Sequence, residues 1–331
     1  MFGVFQKVFI TRRIFDEAVS FLKNHVQVDG NPTDQVLAPD ALEEGIQDVD
    51  GVLALLTDSI SPELMDRCHK LKVIANFAVG FDNIDIKGAT ERGILVTNTP
   101  GVLTETTADF AWSLMLATAR RIVEADRFVR AGKFDAWGPR MLLGHDIYGK
   151  VLGLVGLGRI GQAVARRAQG FGMRVLFYDP YPVGNDVAAE LGAESVPMDT
   201  ILRQSDFVSL HVPLLESTRH LIDDEALRSM KTTAILINTS PGPVVDENAL
   251  VRALTADVIA GAGLDVYEFE PALVEGLMGL DNVVLAPHIA SSSHETRLRM
   301  CMMAGQNLLS GLNGDRPANL VNPAAWDTRR S

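Results

Sequence analysis

The sequence predicts an α/β fold made of two doubly wound parallel-sheet domains. Three observations carry that reading. From the start to about residue 98, short β-rich runs alternate with helical patterns, the βαβ rhythm of a parallel sheet. The rhythm then breaks at a long helical run over 104–121 and an irregular arm through Trp137, Gly138 and Pro139 to Gly149. It restarts at Val151 in runs of nearly continuous Val, Ile, Leu and Ala, the signature of strands covered on both faces.

Taken in order, the first region gives strands over 8–11, 52–57, 73–78 and 94–97, with helices over 15–24, 62–68 and 85–92. Two helix starts are signed. Asp40 is followed three residues on by Glu43, a capping-box spacing, and Ser61 precedes Pro62 at a first helical position. The second region gives strands over 151–155, 174–178, 207–212, 234–238, 259–264 and 283–286. A last helical pattern covers 295–312, with Met300, Met302 and Met303 as core filler, and the polar tail from Asp315 reads as loose.

The chain has 331 residues, 30 basic and 42 acidic, and a formal net charge of −12. That balance excludes nucleic acid and anionic membrane as main partners, because both need a basic face. Two cysteines, Cys68 and Cys301, are too few for a disulfide framework or a thiolate metal site, and a reduced, cytoplasmic setting is expected. His211 and His294 show no metal-ligand spacing with acids, so no metal is assigned. The start, Met1-Phe2-Gly3-Val4-Phe5-Gln6-Lys7, has no basic and apolar sequence of a secretory signal. The charge-free apolar run 110–119 is about half of the roughly 18 residues that a membrane span needs.

One motif carries chemistry on its own. The strand 151–155 leads into Gly156-Leu157-Gly158-Arg159-Ile160-Gly161, then a helix, then a strand that ends at Asp179. A bare G-x-G-x-x-G says little, but between a strand and a helix it is a dinucleotide fingerprint. Gly156 permits the tight turn, Gly158 admits the pyrophosphate, and Gly161 lets the helix pack with its N-terminus, at Arg159 and Ile160, toward the phosphates. Asp179 accepts from a ribose 2′-hydroxyl and repels a 2′-phosphate, so NAD is expected over NADP.

With these motifs in hand, the chain resembles the D-isomer-specific 2-hydroxyacid dehydrogenase family, most closely its glyoxylate and hydroxypyruvate reductases. The resemblance spans nearly the whole chain. It runs through Val79-Gly80-Phe81-Asp82-Asn83-Ile84-Asp85, Asn98-Thr99-Pro100-Gly101, the glycine fingerprint, His211-Val212-Pro213-Leu214 and the segment 237–250. It continues through Gly263-Leu264-Asp265-Val266-Tyr267-Glu268-Phe269-Glu270-Pro271 and Pro287-His288-Ile289-Ala290. It implies a Rossmann NAD-binding domain over 100–288 inserted in a flavodoxin-like substrate domain of 1–99 and 289–331. Two crossings make a hinge, so closure over a substrate in the cleft is the expectation.

The family's catalytic trio is Arg, Glu and His. Glu270 and His288 match two of them. A histidine with a pKa near neutrality gives a proton to the carbonyl oxygen as hydride reaches the carbon, and a neighbouring carboxylate fixes its tautomer and favours imidazolium. The third member is absent: Asn238-Thr239-Ser240-Pro241-Gly242 places Pro241 at the family Arg position. Proline lacks the fork that pairs with a substrate carboxylate, and by analogy with loss of an electrostatic donor roughly 10² to 10³ in rate goes with it. Three readings of Pro241 follow. It leaves a slow enzyme, another cation such as Arg140 compensates, or the protein binds NAD without turnover.

The resemblance further implies a substrate carboxylate on the backbone amides of Val79 and Gly80, with Leu56 and Thr57 on a facing loop, and consecutive amides there form an anion nest. For the cofactor it implies Thr107, His211, Pro213, Thr218, Thr239, Asp265, His288 and Ala290 besides the fingerprint. The helix 104–121 and the arm around Trp137 resemble the segment by which relatives form homodimers. The implied activity is NAD-dependent reduction of glyoxylate or hydroxypyruvate to the D-2-hydroxy acid. A 2-ketogluconate reductase and a corepressor-like NAD sensor are the alternatives.

Overall fold

The computed structural model describes residues 6–181 and 183–330; the first five residues of the N-terminal reading lie outside them. The chain divides into two compact units, Met1–Leu103 with Ser293–Ser331, and Thr104–Ser292.

In the first unit the strands are β1 (Lys7–Ile10), β2 (Gln27–Gly30), β3 (Gly51–Ala54), β4 (Val73–Asn76) and β5 (Leu95–Thr97). Between them run α1 (Asp16–Lys23), α2 (Pro39–Ile46), α3 (Pro62–Arg67) and α4 (Ile86–Glu91). All strands pair in parallel in the order β2-β1-β3-β4-β5, the flavodoxin-like winding. Two cores cover its faces. Val8, Leu53, Val73 and Leu95 pack on one side with Leu22 and with Met300, Ala304 and Leu308 of the C-terminal helix His294–Leu312. On the other side Val52, Ile74 and Val96 pack with Ile46, Met65 and Ala89. This two-sided burial is why the strand residues alternate so little between polar and apolar.

In the second unit α5 (Thr104–Ala119) and α6 (Ile122–Arg130) precede β6 (Val151–Val155), α7 (Arg159–Ala168), β7 (Arg174–Tyr178), α8 (Asn185–Leu191) and β8 (Ala193–Ser195). Next come α9 (Met198–Gln204), β9 (Phe207–Leu210), α10 (Asp224–Ser229), β10 (Ile235–Asn238), α11 (Glu247–Thr255), β11 (Gly261–Leu264) and β12 (Val283–Leu285). The parallel order is β12-β11-β10-β9-β6-β7-β8, a Rossmann sheet with one added strand. The chain reverses its winding between β6 and β9, and in such sheets ligands bind beyond the carboxyl ends of the strands at that switch.

Four expectations are corrected. Asp40 is not a cap: Pro39 opens α2 and Ala38 is its N-cap, because proline fixes a helical φ one residue earlier. Ser61, in contrast, accepts from the Leu64 amide as expected of an N-cap. The long helix stops at Ala119, Arg121 takes a left-handed φ of 53°, and part of the arm is a helix, α6, in which no residue is buried. The short edge strands β2 and β8 escaped notice because their residues are exposed or half-buried and carry little apolar pattern.

The tail is the fourth. Asn322 is buried; its Oδ1 accepts from the Val96 amide at 2.8 Å and its Nδ2 donates to the Ile94 carbonyl at 2.8 Å. Arg330 donates to the carbonyls of Cys68 at 2.7 Å, Leu71 at 2.9 Å and Arg92 at 3.0 Å. A polar tail satisfies backbone groups at the end of a sheet as well as water does, so polarity alone misreads it.

Candidate active site

The fingerprint turn sits at the carboxyl end of β6, at the switch point. Gly156 has φ +94°, and a Cβ there would stand 2.5 Å from the His211 carbonyl oxygen, so no other residue fits this turn. Above Gly158 the space is open, with nothing within 4 Å of where a Cβ would stand, while a Cβ on Gly161 would meet the Gly156 carbonyl at 2.3 Å. Gly158 is the N-cap of α7 and brings no side-chain cap, which leaves the amides at Arg159 and Ile160 facing the open side with the positive end of the helix dipole. Asp179 closes the turn from β7: its carboxylate accepts from the Leu157 amide at 2.8 Å and from the Tyr181 amide at 2.9 Å.

The rest of the carboxyl edge holds polar groups without protein partners. The Thr239 and Ser240 hydroxyls at the end of β10 are buried and make no hydrogen bond. A buried orphan hydroxyl costs free energy unless a ligand completes it, so the edge fits a polar cofactor. Thr107 is buried in α5, and Thr218 donates to the Pro213 carbonyl at 2.7 Å while accepting from the Leu215 amide at 2.8 Å, closing the loop after β9. His211 pairs its Nε2 with the Ser209 hydroxyl at 2.9 Å, and burial pushes its pKa down to about 3. Its ring is therefore a neutral structural group, and its carbonyl lies against Gly156 of the fingerprint.

Glu270 and His288 come together. His288 Nδ1 lies 2.8 Å from Glu270 Oε2, and Glu270 Oε1 accepts from the Tyr267 amide at 3.0 Å. Burial alone would raise the Glu270 pKa, but the hydrogen bond and charge of His288 win and hold it below the usual value. His288 has φ +55°, a conformation that a side chain tolerates only when its surroundings impose it. Asp265 imposes it. The Asp265 carbonyl accepts from the His288 amide at 2.8 Å, and its fully buried carboxylate accepts from the Ile289 and Ala290 amides, both at 2.7 Å. Burial raises the Asp265 pKa against those two bonds.

The Pro241 turn touches the same loop. A Cβ on Gly242 would stand 1.9 Å from the Tyr267 carbonyl oxygen, so residues 241–242 and the segment leading to Glu270 are in backbone contact. Pro241 is half-buried at φ −54°, and its carbonyl accepts from the Val244 amide at 3.1 Å. Arg140 is exposed, and among the described residues no hydrogen bond or ion pair ties it to this turn. Buried Glu247 braces the loop from α11: its Oε1 accepts from the Glu268 amide at 2.5 Å. The Glu268 side chain in turn holds His220 at 2.7 Å and Arg219 at 3.2 Å.

In the first unit Leu56, Thr57, Val79 and Gly80 are all exposed beyond the carboxyl ends of β3 and β4. Asn98 donates to the Val79 carbonyl at 2.8 Å and Asn76 to the Gly80 carbonyl at 2.9 Å, which fixes the peptides of that turn. Arg12, just past β1, donates to the Thr57 hydroxyl at 2.9 Å.

The model of the D-isomer specific 2-hydroxyacid dehydrogenase NAD binding domain matches residues 112–290. A glyoxylate reductase from Korarchaeum cryptofilum is 55% identical over 96% of this chain and 96% of its own. The chain belongs to this family. The dehydrogenase also superposes on the crystal structure of the TT0316 protein from Thermus thermophilus with a TM-score of 0.90, at 43% identity, covering 95% of this chain and 99% of that one. An NADPH-dependent glyoxylate/hydroxypyruvate reductase from Sinorhizobium meliloti gives 0.85 at 33% identity, over 98% and 100% of the two chains.

No sequence signal marks Gly242, Glu247 or Arg12 in this dehydrogenase. Gly242 was visible as a glycine between two prolines, but nothing in the sequence shows what it touches. Glu247 reads as an ordinary first-turn acid, and Arg12 lies far along the chain from every motif. The described residues contain no group of three or more His, Cys, Asp or Glu arranged to hold a metal, and no helix long and apolar enough to cross a membrane.

Proposed function

We propose that the chain reduces a small 2-oxo acid, glyoxylate or hydroxypyruvate first, to the D-2-hydroxy acid, using NADH. The observation that carries this reading is the Glu270–His288 pair at 2.8 Å, held by Asp265 at the edge where the dinucleotide turn opens. When bound, the nicotinamide supplies the hydride. The residues do the rest. Gly156, Gly158, Arg159, Ile160 and Gly161 hold the pyrophosphate, Asp179 the ribose, and Thr107, Pro213, Thr218, Thr239, Asp265 and Ala290 line the path of the cofactor. His288 gives its proton to the carbonyl oxygen in reduction and takes it back in oxidation; the Glu270 carboxylate stabilises the imidazolium before that transfer. The substrate carboxylate rests on the Val79 and Gly80 amides with Leu56 and Thr57 beside it. Pro241 contributes no charge, so turnover is slower than an arginine there would give, by roughly 10² to 10³.

NADH is the proposed cofactor because the Asp179 carboxylate, hydrogen-bonded to the Leu157 amide of the fingerprint turn at 2.8 Å, would repel a ribose 2′-phosphate. The proposed assembly is a homodimer through α5 and the arm, where Phe134, Trp137, Leu143 and Tyr148 are exposed, Trp137 at 79%. Sedimentation equilibrium gives the dimer mass if this holds and the monomer mass if it does not.

The deciding assay follows NADH oxidation with glyoxylate, hydroxypyruvate and 2-ketogluconate, with NADPH as the competing cofactor. Turnover of the small acids that His288→Ala abolishes is the expected result. Measurable NADH binding with no turnover of any 2-oxo acid would overturn it and leave a nucleotide-sensing protein.

A further inference from the structure

A small 2-oxo acid is recognised mainly by its carboxylate, and the turn at Pro241 offers that group no cation. We infer that Arg12 binds the substrate carboxylate in this protein, an assignment that rests on the reductase reading above. Arg12 follows Thr11 at the carboxyl end of β1. Because β1 pairs in parallel with β3, and β3 with β4, the chain leaves all three strands at one edge. Arg12, Thr57 and the Val79–Gly80 turn therefore share the ligand-binding edge of their sheet.

The side chain is already aimed. Its Nη2 donates to the Thr57 hydroxyl at 2.9 Å, on the loop facing that turn. Several arginines of this acidic chain pair with acids: Arg167 with Glu105 and Asp109, Arg174 with Glu194, Arg92 with Asp66. Among the described residues Arg12 forms no ion pair. The nearest acid on the facing loop, Asp58, is buried and accepts from the Leu55 amide at 2.7 Å and from the Thr11 hydroxyl. A guanidinium carries five N–H donors in a planar fork, so one bond to a hydroxyl leaves the arrangement that a carboxylate takes up in two parallel bonds.

The turn itself calls for a cation. An Asp82 carboxylate oxygen lies 3.2 Å from the position of a Cβ on Gly80, which places negative charge beside Gly80. Two backbone dipoles next to that carboxylate, in a chain of net charge −12, hold a second carboxylate poorly without a neighbouring positive charge. Arg12 is half-buried, and its flexible stem lets the guanidinium leave Thr57 for a ligand or span both.

Arg12→Gln and Arg12→Lys are compared with the parent protein in two measurements. In steady-state glyoxylate reduction, Arg12→Gln is expected to raise KM about tenfold with kcat within about twofold, and Arg12→Lys to recover part of the loss. In calorimetric titration of the protein with oxalate, a dicarboxylate that needs no turnover, affinity is expected to fall by a similar factor in Arg12→Gln. An unchanged KM and unchanged oxalate affinity overturn the assignment while the reductase reading stands. If the parent turns over no 2-oxo acid, the reductase reading fails and the oxalate arm decides alone: binding lost in Arg12→Gln supports the anion site, and binding unchanged or absent in the parent refutes it.

Discussion

Replacing Gly242 by alanine puts a Cβ 1.9 Å from the Tyr267 carbonyl oxygen, 2.0 Å from its carbon and 2.7 Å from the Glu268 nitrogen. These are backbone atoms, so no side chain can swing aside. Restoring ordinary contact at 3.4 Å or more requires the two segments to part by about 1.5 Å. The moving segment bears Glu270, whose Oε1 is tied to the Tyr267 amide at 3.0 Å and whose Oε2 meets His288 at 2.8 Å. Catalytic geometry loses roughly 10² in rate for about 1 Å of misplacement, so kcat/KM for glyoxylate is expected to fall at least about 100-fold. Overpacking typically costs about 1 to 3 kcal/mol, and at about 2 to 4 °C per kcal/mol the melting temperature drops by several degrees. The assay is NADH oxidation with thermal melting beside it. Gly279→Ala, at a position with nothing within 4 Å, is the control that should change neither. A Gly242→Ala enzyme with parental kcat/KM and melting temperature would refute the claim that the Pro241 turn and the Glu270 segment are locked together.

Three further predictions concern support for the site and the fold. Asp265→Asn keeps the shape but turns an NH₂ toward the Ile289 or Ala290 amide; kcat should fall at least about tenfold as the left-handed turn at His288 loosens, and a parental kcat would show that the carboxylate does not hold it. His211 has its native pKa near 3 against 6.5 unfolded, so the unfolded chain binds more protons between these values and stability is lost as pH falls from about 6.5 toward 3. Urea melts at pH 7 and pH 5 should therefore differ by about 2 kcal/mol more in the parent than in His211→Gln, and equal pH dependence would contradict it. Asn322→Ala strands the Val96 amide and Ile94 carbonyl inside the first unit and should cost about 2 to 3 kcal/mol; no change in melting would mean the tail is not docked as described.

The fold class was legible because parallel sheets covered on both faces leave a clear trace: 51–54, 73–76, 151–155 and 207–210 are nearly unbroken apolar runs. The chain's own motif also named the turn at Gly156 and Asp179, while Glu270, His288 and Asp265 came from the resemblance to the family. What escaped has a physical reason in each case. The edge strands β2 and β8 bury little and so lack a pattern, and α6 fully buries none of its residues. The tail is polar because its side chains complete backbone groups, a use that composition does not distinguish from solvation. Gly242 and Glu247 meet the segment leading to Glu270, and Arg12 meets Thr57, only because the fold brings them together, and no local sequence pattern encodes these contacts. Asp265 was read as a cofactor contact; its carboxylate is seen holding the two amides after His288.

The proposed reductase works on the Glu270–His288 pair with no arginine at position 241. Its most direct test is kcat/KM for glyoxylate with NADH in the parent, His288→Ala and Pro241→Arg, measured side by side. The expected result is a slow parental rate, none with His288→Ala, and a gain of roughly 10² to 10³ with Pro241→Arg. A Pro241→Arg enzyme no faster than the parent, or a His288→Ala enzyme as fast, would contradict it.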